Sequence, residues 1–326
     1  MADLKSLITE ARNTNTMSLD EMTPYEIALV MNKEDENVIW AVRKVLPQIA
    51  RAAEWCIESL SQGGRIIYIG AGTSGRLGIL DAVECPPTFG VDYNTVVGVI
   101  AGGEGAFIKA KEGAEDSLEL GKVDLQKIAL KKEDIVIGLA ASGRTPYVIG
   151  AFRYAAEQGC RRIAISCNKN TRISGEADLA IEILTGPEVL TGSTRLKAGT
   201  AEKMTLNMIS TASMVGVGKA YQNLMVDVRQ TNEKLVSRTE NIVMEAVGCD
   251  REAAKQALKD ADGEAKLAIT KMLLECDMQT ARKCLDEAGG KVKVAVSKRM
   301  TINKNPKEDL NGKESDSSFI SGNNGN

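Results

Sequence analysis

Residues 65–90 read RIIYIGAGTSGRLGILDAVECPPTFG, and the order of residue types in this stretch decides the fold. An unbroken apolar run ends on Gly70. Gly72, Thr73, Ser74 and Gly75 make a turn, and an amphipathic segment starts at once. A run without polar alternation suits a parallel strand covered on both faces. A strand that turns through small residues straight into a helix is the first half of a βαβ unit. Working outward, Ile- and Val-rich runs recur at Thr95–Ile100, Asp134–Leu139, Arg161–Ser166 and Asp178–Ile183, separated by longer helical patterns. With Arg65–Gly70 they predict a doubly wound α/β fold on a five-stranded parallel sheet, with ligands outside the carboxyl ends of its strands.

On the N-terminal side, residues 1–62 predict a helical segment. Its longest amphipathic stretch runs through Val38, Val42, Val45, Leu46, Ile49 and Ala53 and is stopped by Gly63-Gly64. The α/β domain is expected over 63–232, ending in a long helical region near Gly199–Val226. Residues 233–302 predict a small helical domain. Within it a weak repeat at an offset of 27 pairs Leu258 with Leu285, Ala261 with Ala288, Gly263 with Gly290 and Ala268 with Ala295. From about Asn303 the sequence is Asn, Ser, Gly, Asp and Lys with almost nothing to bury, so 303–326 is expected to be a disordered tail.

Composition excludes several function classes. The 326 residues are 43% hydrophobic, enough for a substantial core, and carry a formal charge of −3, so no global basic field attracts nucleic acid or anionic membrane. No apolar run approaches the roughly 20 residues of a membrane helix, and the N-terminus lacks a signal-peptide pattern. The seven cysteines form no CxxC pair and are expected to be reduced thiols of a cytoplasmic protein. Histidine is absent. That removes Ser-His triads, Cys-His dyads, His-ligated metals and histidine bases together, so acid–base chemistry falls to Asp, Glu, Lys, Tyr or Cys. No cofactor and no metal site is expected.

Two loops have the composition of anion sites. In the first, Gly72, Thr73 and Ser74 combine close backbone approach, hydroxyls and the positive end of a helix. In the second, AASGRTPYVIGA (140–151), Ser142, Gly143 and Thr145 precede a helix with Pro146 at its first position. Each loop alone could be a tight turn with a capping hydroxyl. Two of them at neighbouring strand ends point to one site for a phosphorylated ligand. The GxGTSG spacing departs from the dinucleotide fingerprint, no acidic residue is placed to hold a ribose, and no GK[ST] makes a P-loop.

These loops, with LITEARN (7–13), LDAVECPPTFG (80–90) and GPEVLTGSTRLKAGTAEKMTLNMIS (186–210), resemble the sugar isomerase (SIS) domain family, and within it the N-acetylmuramic acid 6-phosphate etherases. The resemblance covers about residues 6–300. It implies a SIS fold with a small C-terminal, ubiquitin-associated-like helical domain, in a homodimer. The implied reaction cleaves the lactyl ether of a sugar phosphate without metal or nucleotide. It further implies Glu84 as proton donor, Glu115 as the second catalytic carboxylate, and Ser74, Ser142 and Thr145 as phosphate contacts. Taken without the family, Glu115 is a solvated helix acid and Asp81 surface charge or a neighbour tuning Glu84. Glu84 is expected at the end of the helix that starts at the first loop, halted by Cys85-Pro86-Pro87. That position, with burial, would favour its protonated form. It lies about 15 Å from Ser74 along one helix, so a second subunit is expected to complete the site. Glu188, Ser193, Arg195 and Lys197 follow the fifth strand, where sugar contact and ordinary helix capping are both open.

Ala140 stands where the wider group often carries Ser, which puts the shape of the phosphate cradle in question. Two rival functions are a SIS-fold isomerase, disfavoured by the absent histidine, and a sugar-phosphate-binding regulator resembling glucokinase regulatory protein, disfavoured by the single set of loops.

Overall fold

The computed structural model of the chain describes residues 7–109, 111–228 and 233–304. The chain divides into two compact units, Met1–Leu235 and Val236–Asn326. In the first, short 3-10 turns at Ile8–Glu10, Thr14–Thr16 and Leu19–Glu21 precede α1 (Pro24–Lys44) and α2 (Leu46–Ser61). The single amphipathic stretch expected here is thus two helices. Pro47 has no N–H to give to the carbonyl of Arg43, and Val45 leaves the helical region between them.

The elements β1 (Ile66–Gly70), α3 (Gly72–Phe89), β2 (Val96–Ile100), α4 (Gly105–Ile108), α5 (Leu118–Lys127), β3 (Ile135–Leu139), α6 (Pro146–Glu157), β4 (Arg161–Ser166), α7 (Arg172–Gly175), β5 (Leu179–Glu182) and α8 (Lys197–Gly216) follow. All five strands fall within a residue or two of the apolar runs. They form one parallel sheet in the order β2-β1-β3-β4-β5. Alternate residues of each strand serve opposite faces. Ile66, Tyr68, Ile137 and Ile163 pack with α1, α2, α3 and α8, while Ile67, Ile69, Val136 and Ala164 pack with α5 and α6. Helices cover both faces, which is why the strands read as continuous apolar runs.

The two prolines do not stop α3. It continues through Pro86 and Pro87 to Phe89 and closes on left-handed Gly90, whose N–H donates to the carbonyl of Pro86 at 2.9 Å. The prolines remove only the N–H groups that would have met the carbonyls of Ala82 and Val83, in the last turn. Burial of Ala82, Cys85 and Pro86 holds the helical path there.

The second unit consists of α9 (Glu233–Val247, which begins just ahead of the division), α10 (Arg251–Asp260), α11 (Ala265–Leu274), α12 (Met278–Glu287) and α13 (Val292–Lys304). The 27-residue repeat is a structural repeat. Asp250 and Asp277 each cap a helix, accepting from Ala253 N and Thr280 N at 2.8 Å. Gly263 and Gly290 close those helices by donating to Leu258 O and Leu285 O, also at 2.8 Å. Helix α13 runs to Lys304, so residues 303–304 of the expected tail are helical, and 305–326 lie outside the described residues.

Candidate active site

The chain passes from β1 to β2 on one side, then crosses back to β3 on the other. The carboxyl ends of β1 and β3 are therefore the switch point of the sheet, with Gly70 level with Leu139. Both hydroxyl-bearing loops leave from these two ends. In the first, no side chain caps α3, so the N–H groups of Gly72, Thr73 and Ser74 have no acceptor within the helix. Gly75 is required by packing, since a Cβ there would lie 2.6 Å from the carbonyl oxygen of Gly70. In the second, Gly143 has a φ of +71° and a Cβ on it would strike Thr171 at 2.2 Å. Thr145 precedes α6, but its side chain makes no capping hydrogen bond.

Ser74 is buried, and its Oγ lies 3.0 Å from Oε1 of Glu202 on α8. Glu202 is fully buried, and its Oε2 has no hydrogen-bond partner among the described residues. Burial pushes its carboxyl up to about 8, against the opposing pull of the Ser74 hydrogen bond. Gly199, one turn earlier on α8, faces Thr73 and Leu77, so the start of α8 lies against the start of α3.

A cleft of about 210 Å³ opens at the first loop, lined in part by Gly72, Arg76, Lys111, Glu112 and Glu115. Arg76 fixes its wall by donating to the carbonyls of Phe107 and Ala106 at 2.7 and 2.8 Å. Glu115 is exposed and sits in a 3-10 turn, Ala114–Asp116, just before α5, rather than within a helix. Glu84 is not in this cleft. It is exposed on α3, five residues before the helix ends, and lines a separate cavity of about 300 Å³ with Leu80, Asp81, Lys203 and Asn207. It is neither buried nor in the last turn of the helix, contrary to the sequence expectation. Asp81 is not surface charge. It is buried and accepts from Asn207 Nδ2 at 2.7 Å and Ser210 Oγ at 3.1 Å.

The stretch after β5 is held from inside. Glu188 is fully buried and accepts the backbone N–H groups of Lys197 and Ala198 at 2.9 and 3.0 Å, capping α8. Lys197 is 1% exposed and donates to Glu34 at 2.7 Å. Burial pushes the Glu34 carboxyl up, but hydrogen bonds from Lys197, Asn15 and Asn13 outweigh it and hold the group below the usual range. Both side chains thus have structural partners in this chain. Ser193 is half-buried in the turn at Leu190–Leu196 and Arg195 is exposed. The LITEARN segment shares the framework. Asn13 also donates to Pro187 O, while Asn168 Nδ2 bridges Thr9 Oγ1 and the Ala141 carbonyl of the second loop, at 3.0 and 3.1 Å.

Comparison with known proteins fits this arrangement. The model for the glucokinase regulatory protein N-terminal SIS domain matches residues 48–156, and that for the SIS domain matches 121–212. The N-acetylmuramic acid 6-phosphate etherase of Mycolicibacterium smegmatis is 59% identical over 83% of this chain and 91% of its own. Those of Pectobacterium atrosepticum and Lactococcus lactis are each 57% identical, over 83% and 82% of this chain and 89% and 90% of theirs. The chain belongs to the N-acetylmuramic acid 6-phosphate etherase family. In this etherase-family chain, sequence reasoning missed Glu202, Asn168 and the Glu34–Lys197 pair. For Glu202 a signal existed: it falls on the buried stripe of Ala198, Ala201, Thr205, Leu206 and Ile209, where a carboxylate is out of place.

Proposed function

We propose that the chain cleaves the D-lactyl ether of N-acetylmuramic acid 6-phosphate, giving N-acetylglucosamine 6-phosphate and D-lactate. Membership of the etherase family carries this reading. In the open-chain sugar the C2 proton lies beside the aldehyde and is acidic. A base takes it, the C3–O bond breaks, and the departing lactate oxygen receives a proton from an acid. Water then adds its oxygen to C3 and a proton to C2.

The loops at the switch point hold the 6-phosphate through Ser74, Ser142, Thr145 and the N–H groups of Gly72 and Thr73, with Gly143 shaping the second loop. Glu115, in the cleft beside Gly72, takes the C2 proton. Glu84 protonates lactate. It stands twelve residues beyond Gly72 on one helix, about 18 Å at 1.5 Å per residue, farther than a sugar phosphate spans. A second copy therefore supplies it, in a cytoplasmic homodimer. An apolar groove between α2 and α8, lined by Ile49, Ala53, Met204 and Met208, borders the Glu84 cavity at Lys203 and Asn207 and supports such pairing. Ser193 and Arg195 are left to contact the sugar, while Glu188 and Lys197 frame them.

The test is to incubate the purified chain with N-acetylmuramic acid 6-phosphate and assay D-lactate. Deuterated water should place deuterium at C2 of the sugar, and ¹⁸O-water should label C3. Absence of lactate, or label in lactate, would overturn the reaction.

A further inference from the structure

The contact between Ser74 and Glu202 raises a difficulty for phosphate binding, and its solution gives Glu202 a role. A serine hydroxyl has one proton. If Glu202 is a carboxylate, Ser74 spends that proton on it across 3.0 Å and has none for a phosphate oxygen. A fixed negative charge then also stands beside the anion site. If Glu202 is a carboxylic acid, the direction reverses. The acid donates to Ser74 Oγ, and the serine proton is free to turn outward.

We propose that Glu202 is a positioning residue for phosphate. In its acid form it orients the Ser74 hydroxyl as a donor to the ligand, and in its carboxylate form it withdraws that donor. This rests on the phosphate-binding role proposed above for Ser74.

The surroundings favour the acid form at neutral pH. Glu202 is fully buried, with one oxygen bare, and a buried charge without a partner is costly. Burial accordingly lifts its carboxyl to about 8. From α3 it is faced by the Ser74 hydroxyl. From beyond β4 it is faced by the Cys167 thiol, which burial pushes up and which Glu202 and Glu188 raise further. Tyr68 of β1 and Lys203 of α8 act on Asp81, and other ionisable groups around α8 have contacts of their own. Glu34 of α1 is on Lys197, Glu188 on two backbone N–H groups, and Asp81 of α3 on Asn207 and Ser210. Cys56 of α2 lies beside Ser213. No cation among the described residues acts on Glu202.

The experiment is calorimetric binding of N-acetylglucosamine 6-phosphate to the full chain from pH 7 to 9.5, where a phosphate monoester is a dianion throughout, its second pKa being about 6. Affinity should hold to about pH 8 and then fall, by up to about tenfold per pH unit for one linked proton. Glu202→Leu should weaken binding at neutral pH, where the orienting acid is lost, and should show no alkaline fall. Glu202→Gln, whose amide also donates to Ser74, should restore the neutral-pH affinity and flatten the profile. Ser74→Ala with Glu202 intact should bind more weakly and lose most of the alkaline fall, a check that does not depend on the Glu202 variants folding. If Glu202→Gln keeps the wild-type fall, another group titrates and the proposal is overturned. If Ser74→Ala keeps it, Glu202 acts by repulsion through space, and the hydroxyl relay is overturned. If the wild type binds no sugar phosphate, or Ser74→Ala leaves affinity unchanged, the phosphate site itself fails and takes the proposal with it.

Discussion

The two ends of α3 carry the two halves of the proposed chemistry, and they are built in opposite ways. At the first turn Ser74 is buried, bonded to Glu202, and locked by the close contact of Gly75 with β1. Toward the other end Glu84 is exposed. A site that must strip water from a phosphate needs its donors fixed in advance, and one chain supplies that fixity. The Glu84 end is presented outward, as suits a group that meets a ligand held by another copy.

The largest expected effect breaks that contrast at its exposed end. Glu84→Gln should lower kcat by about 10²–10⁴-fold, the usual worth of an acid or base, while leaving thermal stability and sugar-phosphate affinity nearly unchanged. C2 proton exchange with solvent should survive in Glu84→Gln and vanish in Glu115→Gln, since without the base no carbanion forms. The opposite pattern reverses the two roles. Mixing the two inactive variants should recover about a quarter of the wild-type rate, since half the dimers are mixed and each of those has one intact site. No recovery would mean that both carboxylates act within one chain.

The next effect falls on the frame behind the buried end. Lys197→Met should destabilise the chain by roughly 3–5 kcal/mol, because it strands the Glu34 carboxylate among groups that cannot replace the charge. Thermal unfolding, with KM measured well below the transition, separates this from ligand binding. If stability is kept and only KM rises, Lys197 touches the sugar after all and its ion pair with Glu34 is incidental.

How much of this was legible in the sequence varies with how local the signal is. The strands were readable because each face of the sheet is buried, so the apolar runs carry no alternation. The turns of the two hydroxyl-bearing loops were readable because Gly75 and Gly143 leave their backbone requirements in the residue type. The course of α3 past Pro86-Pro87 was not, since a proline preference yields where only a last turn is at stake and packing holds it. Glu188 and Lys197 looked equally suited to sugar contact and to capping. Only the approach of α1 to α8, far apart in sequence, reveals that Lys197 is paired with Glu34. Glu202 could be read as an out-of-place carboxylate on a buried stripe, but its partner Ser74, 128 residues away, could not.

The smallest expected effect concerns Thr145, where a hydroxyl ahead of a helix could serve either the fold or a ligand. The structure contains its own control. Thr23 caps α1 in a full capping box: its Oγ1 accepts from Glu26 N at 3.3 Å, and its N–H donates to Glu26 Oε2 at 2.8 Å. Losing such a cap costs about 1 kcal/mol. Thr145 makes no such bond, and Pro146 after it already presets the first helical φ. Thr145→Ala should therefore change stability by less than about 0.5 kcal/mol, where Thr23→Ala costs about twice that or more. Sugar-phosphate affinity should respond the other way. Thr145→Ala should weaken it several-fold, up to about tenfold for the loss of one hydrogen bond, and Thr23→Ala should leave it alone. Thermal melts and calorimetry on the two variants read both quantities. Should Thr145→Ala instead match Thr23→Ala in stability and bind normally, its hydroxyl is a cap, and the second loop contributes to the anion site only through Ser142 and its backbone.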